Sequence, residues 1–92
     1  MSFVFRVHAV QRMFERQITE NEVKEVIQTG KIIARYPEDK PFPSKLVLGW
    51  IKNRPIHIVV AESVSTNDVI VITVYEPTLD KWEENFEARR KK

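Results

Sequence analysis

Three apolar runs crowded between residues 45 and 77 decide what this chain can become. They occupy residues 45–52, 55–62 and 69–77, and each is rich in β-branched or aromatic side chains that suit a pleated surface. Asn53 and Arg54 before Pro55 form a tight connection, and residues 63–68 a longer polar one, so the simplest pairing is an antiparallel meander. Alternation places Ile56, Ile58 and Val60 on one face of the middle strand and His57, Val59 and Ala61 on the other. Neither face is wholly polar. Such a sheet calls for helices over one side and a groove or a partner over part of the other. The polar exceptions, His57, Thr73 and Tyr75, then have the most to explain. A register pairing His57 with Thr73 puts Tyr75 on the same face, and a one-residue slip reverses that relation.

The flanks supply the second layer. Residues 2–6 alternate Phe3 and Phe5 with Val4 and read as a short strand at the sheet edge. From Val7 to Gln17 the apolar residues Ala9, Val10, Met13 and Phe14 form one arc of a helical wheel. His8, Arg12 and Arg16, spaced four apart, line one edge of that helix as a cationic stripe. Thr19 and Glu22 form a capping box that starts a second helix, with Val23, Val26 and Ile27 as its apolar stripe. Gly30 stands where a helix commonly ends on a left-handed residue. Residues 31–37 read as a further strand, and residues 38–43, with Pro41 and Pro43 around Phe42, as a stiff extended loop. After Pro77, Asp80 and Glu83 suit the start of a last helix, on which Trp82 and Phe86 would share the docking face. Arg89, Arg90, Lys91 and Lys92 would then reach solvent.

Ninety-two residues make a single domain spanning 1–92, large enough for a two-layer core. With 42% hydrophobic and 30% charged residues the chain is globular in character. It has no cysteine, which excludes disulfides, thiol nucleophiles and thiolate metal sites and suits a reducing cytoplasm. Nor is there an apolar run near the roughly 20 residues of a membrane span, so a cytoplasmic location without membrane contact is the expectation. A net charge of +2 is too small to name nucleic acid as a partner, and the distribution of cations matters more.

Two histidines with no H-x-x-x-H or E-x-x-H spacing give no support for a metal site, and no cofactor is expected. Gly-rich phosphate loops and nucleophile elbows are missing too. What remains is phosphate-compatible chemistry: His8, His57 and Tyr75 as proton-transfer candidates, and Arg12, Arg16, Arg54 and Arg89 as phosphate or RNA ligands. That set fits metal-independent RNA cleavage, in which the 2′-hydroxyl attacks the adjacent phosphate and the enzyme removes one proton, supplies another and stabilises the transition state. The same residues also fit plain packing: His57 as a half-buried strand residue, Tyr75 as a core edge, and Arg12 or Arg16 as partners of Glu15 or Glu22.

The run His8-Ala9, Arg12-Met13, Arg16, Gly30 to Ile33, Tyr36-Pro37, Pro43, Leu48-Gly49, Arg54 to Val59 and Thr73 to Pro77, with Trp82, resembles the bacterial DUF4258 family. Members of that family look like small toxins of the RelE and BrnT type, encoded beside a small antitoxin protein. The resemblance implies a RelE-like α+β fold: two N-terminal helices on a mainly antiparallel sheet of about four strands, with a C-terminal helix. It also implies an mRNA endoribonuclease, with an antitoxin, RNA or the ribosome as partner. Toxins of that type vary in their catalytic residues, so the roles given above to His8, His57, Tyr75 and the arginines rest on their chemistry. A binding module without catalysis is the competing reading, and a homo-oligomer subunit joined through an exposed strand edge is a third.

Overall fold

The computed structural model describes residues 2–91 and arranges them as β1 (Phe3–Phe5), α1 (Val7–Arg16), α2 (Glu20–Thr29), β2 (Lys31–Tyr36), β3 (Ser44–Ile51), β4 (Arg54–Glu62) and β5 (Val69–Tyr75). The three apolar runs form the expected meander, with β4 central between β3 and β5. The complete sheet has five strands in the order β1-β5-β4-β3-β2, and β1 lies parallel to β5. This corrects the RelE-like layout of about four mainly antiparallel strands with a C-terminal helix. The sheet is mixed, both helices sit between β1 and β2, and no helix forms in residues 78–91.

One face of the sheet carries the core. Val47, Ile56, Ile58, Val60, Val69, Val71 and Val74 meet Ala9, Met13, Ile18, Val23 and Val26 from the helical layer, with Phe3, Phe5 and Ile27 packed at the margin. The Thr19 hydroxyl accepts from the Glu22 amide at 3.1 Å and Glu22 accepts from the Thr19 amide at 2.9 Å, so the expected capping box starts α2. The glycines explain how closely α2 approaches. A Cβ on Gly49 would stand 2.6 Å from Val26 Cγ1, and one on Gly30 would stand 2.5 Å from the Val26 carbonyl oxygen. Gly30 has φ −77°, so it is there for space and not for the left-handed cap expected of it.

α1 turns differently from the wheel reading. It meets β5 through Ala9 and Met13, and the smallness of Ala9 lets the helix approach on that side. Val10 and Phe14, expected inside, are 47% and 86% exposed, and with Val7 they form an apolar stripe facing solvent. The helix ends as anticipated at Gln17, which is left-handed at φ 56°.

The second face of the sheet is covered by the chain's own C-terminal segment, residues 78–91. Trp82 stands edge-on to His57 at 4.4 Å between ring centroids, and Phe86 stands edge-on to Trp50 at 5.9 Å. The two aromatics therefore dock as expected, but on a hairpin-like loop. Trp82 bridges Arg89, the Glu83 amide donates to the Ala88 carbonyl, and the Arg90 amide donates to the Lys81 carbonyl. Phe86 takes a left-handed φ of 60°, and the Asn85 side chain accepts from the Glu87 amide, turn chemistry that ends any helix there. Arg89, Arg90 and Lys91 are exposed as expected, but Arg89 also lies 5.6 Å from the Trp82 ring and Arg90 bonds the Leu79 carbonyl, which ties both to the loop. Lys92 lies outside the described residues.

Candidate functional site

On this second face Leu48, His57 and Tyr75 stand in one row across β3, β4 and β5. The register pairs His57 with Tyr75 and Val59 with Thr73, two residues from the pairing read off the sequence. A two-residue offset preserves the face, so the expected proximity of His57 and Tyr75 holds. A bulge between Val59 and Val60 separates this row from the rest of the β4–β5 ladder.

His57 is wholly buried, and both ring nitrogens are engaged. Nδ1 lies 3.0 Å from the Tyr75 hydroxyl and Nε2 lies 2.8 Å from the Phe86 carbonyl oxygen. Burial lowers the His57 pKa below its ordinary value, an effect the Phe86 carbonyl partly opposes by favouring the protonated ring. Tyr75, half-buried, has its pKa raised by burial and then by the Tyr36 phenol, against the pull of Arg89. Both groups are therefore neutral near pH 7.

Tyr75 opens onto a cavity of about 400 Å³ lined by Arg16, Glu76, Pro77, Thr78, Lys81, Trp82 and Arg89. Arg16 comes from the last turn of α1 and Tyr75 from the end of β5, while Lys81, Trp82 and Arg89 come from the C-terminal segment. Arg54 fixes the junction. Its Nη2 donates to the Arg16 carbonyl at 2.9 Å, where the helix dipole favours a cation, and its Nε donates to Glu76 at 3.1 Å. Glu76 is thereby compensated. Arg16, Lys81 and Arg89 make no ion pair among the described residues, so three cations share one concavity with a single carboxylate, Glu76, which is itself paired with Arg54. Elsewhere compensation is more complete. A cavity of about 200 Å³ by the β3 and β4 ends contains the Lys45–Glu62 pair, and another beside Gly49 contains the Lys31–Glu87 pair.

The seven residues singled out from sequence thus separate. Tyr75, Arg16 and Arg89 line the cavity, His57 stands behind Tyr75, and Arg54 stands behind Arg16. Arg12 pairs with Glu15 at 3.2 Å on the exposed side of α1, and His8 is exposed one further turn away; neither lines the cavity. Sequence reading misses Lys81 and gives Trp82 only a packing role. On the expected helix Lys81 would turn about 100° away from the docked face, and the loop brings it back. Among the described residues no cluster of three His, Cys, Asp or Glu side chains could hold a metal ion, and no helix is long and apolar enough to cross a membrane.

A family model described as a domain of unknown function (DUF4258) matches residues 5–76, and the chain belongs to that family. No curated protein and no solved structure matches it. The matched span ends at Glu76, so two of the three cations in the cavity lie beyond it.

Proposed function

We propose that this member of the DUF4258 family is a toxin-like endoribonuclease that holds an RNA phosphate among Arg16, Lys81 and Arg89 and transfers a proton at Tyr75. The observation that carries the reading is the gathering of three cations outside any ion pair, beside one carboxylate already held by Arg54, in the cavity that the half-buried Tyr75 lines. Cations so placed neutralise a phosphate whose charge grows in the transition state. In the reaction the 2′-oxygen bonds to phosphorus and the phosphorus–5′-oxygen bond breaks. The 2′-proton passes to the Tyr75 oxygen as Tyr75 hands its own hydrogen to His57 Nδ1, 3.0 Å away, and the Lys81 ammonium supplies a proton to the departing 5′-oxygen; solvent then returns the proton from His57 to Lys81. The products are a 2′,3′-cyclic phosphate and a 5′-hydroxyl. The exposed Val7, Val10 and Phe14 on α1 support a protein partner, which in this reading is a small antitoxin.

The test is RNA cleavage by purified protein, with ribosomes present and absent, alongside growth arrest on induction. Tyr75→Phe should lower cleavage about 10²-fold or more while the domain stays folded, and the cut ends should carry cyclic phosphate. His8→Ala should change little. Absence of cleavage and arrest from the wild type, with tight RNA or protein binding retained, hands the molecule to the second reading, a non-catalytic binding module. One observation favours that reading: His57 is sealed from solvent with both nitrogens engaged, as a packed residue would be.

A further inference from the structure

The hydrogen-bond chain behind the cavity has one direction. The Phe86 carbonyl oxygen can only accept, so the ring nitrogen 2.8 Å from it, Nε2, must carry the hydrogen. In a neutral imidazole Nδ1 is then an acceptor, and the Tyr75 hydroxyl 3.0 Å away must donate to it. A phenol has one hydrogen. With that hydrogen committed to His57, Tyr75 offers the cavity only oxygen lone pairs.

A phosphodiester alone is a poor match for such a group, because its exposed oxygens are acceptors and would face another acceptor. A phosphate with a hydroxyl beside it is a good match: the cations take the phosphate and the hydroxyl donates to Tyr75. We propose, resting on the RNA reading above, that the chain from the Phe86 carbonyl through His57 to Tyr75 makes this cavity select ribose-borne over deoxyribose-borne phosphates. Tyr75 is the group that senses the 2′-hydroxyl. His57 is a positioning residue that never meets the ligand and fixes which way the Tyr75 proton points. The left-handed turn at Phe86 presents the carbonyl that sets the tautomer, which gives the C-terminal segment a part in specificity besides its cations.

The experiment compares adenosine 3′-monophosphate with its 2′-deoxy counterpart, neither of which has a leaving group, by titration against the full chain. The ribose form should bind about tenfold tighter, the size of one hydrogen bond and the penalty for leaving its acceptor unmet. Tyr75→Phe should bring the two affinities together while both ligands still bind. His57→Gln, whose amide nitrogen can replace Nε2 but withdraws the acceptor from Tyr75, should do the same by tightening the deoxy form. Nitrogen-15 spectra of the wild type, with the signals of exposed His8 set apart by a His8→Ala variant, should show the proton on Nε2 of His57, independently of any ligand. Equal binding of both ligands to the wild type, or a proton on Nδ1, overturns the selection mechanism and leaves the cationic phosphate site standing. Binding of neither ligand overturns the RNA reading and this inference together.

Discussion

The two faces of the sheet are built on opposite terms. The helix-covered face is closed by aliphatic side chains and by two glycines that admit α2 to van der Waals distance. The other is closed by a loop with no regular secondary structure, held by two edge-on aromatic contacts and the ring nitrogens of one buried histidine. The first arrangement fills space and tolerates no polar group. The second keeps polar groups next to a cavity and directs their hydrogen bonds. Burial alone does not separate the faces, since His57 is as buried as Ile58; the difference is whether the buried atoms have directional partners.

Breaking the first face should cost most. Ile58→Ala, at the centre of the aliphatic face, should destabilise by about 2 to 5 kcal/mol in a single cooperative transition, measured by denaturant unfolding. Gly49→Ala should cost less, about 1 to 3 kcal/mol, because its Cβ would stand 2.6 Å from Val26 Cγ1 and α2 would have to move. Thr19→Ala, which removes the capping hydroxyl of α2, should cost about 1 kcal/mol in the same assay.

The second face should be sensitive to pH where the first is not. The His57 pKa is lowered on folding, so the unfolded chain takes up a proton first as pH falls below about 6.5, and folding stability declines from there. Above that pH the contribution is constant. Tyr75, with a raised pKa, acts at the other end: the unfolded chain loses its proton first, and stability declines above about pH 10. Melting temperature against pH should show both shoulders, and His57→Gln should flatten the acidic one. An unchanged acidic shoulder in that variant would assign it to other groups.

The first face is the more legible in sequence, for a physical reason. Aliphatic periodicity along a strand or helix reports burial directly, so Met13, Val23, Val26 and the β4 alternation can be read from it. It fails on α1, where hydrophobicity points to Val10 and Phe14 but Ala9, the smaller residue, faces the sheet. The second face depends on contacts distant in sequence. Asp80, Glu83, Trp82 and Phe86 carry helix-compatible spacing, yet a short isolated helix is marginal, and the loop instead gains the Phe86 carbonyl bond to His57 across 29 positions. Local pattern shows that Trp82 docks and leaves out which way Lys81 then turns. His57 and Tyr75 stand out by their chemistry, and the structure brings them together; His8 and Arg12 stand out on the same grounds and lie apart from the cavity.

We propose that RNA phosphate binds in the cavity on the second face and at no other concentration of charge. The most direct measurement is the salt dependence of single-stranded RNA binding by the Lys81→Ala/Arg89→Ala double variant, beside the wild type and an Arg35→Ala control from the other sheet edge. The double variant should bind more weakly, with its log K against log salt slope reduced by about 0.7, the share of the one phosphate no longer neutralised; the control should keep the wild-type slope. A double variant with the wild-type slope, or a control whose slope falls as far, would contradict the claim.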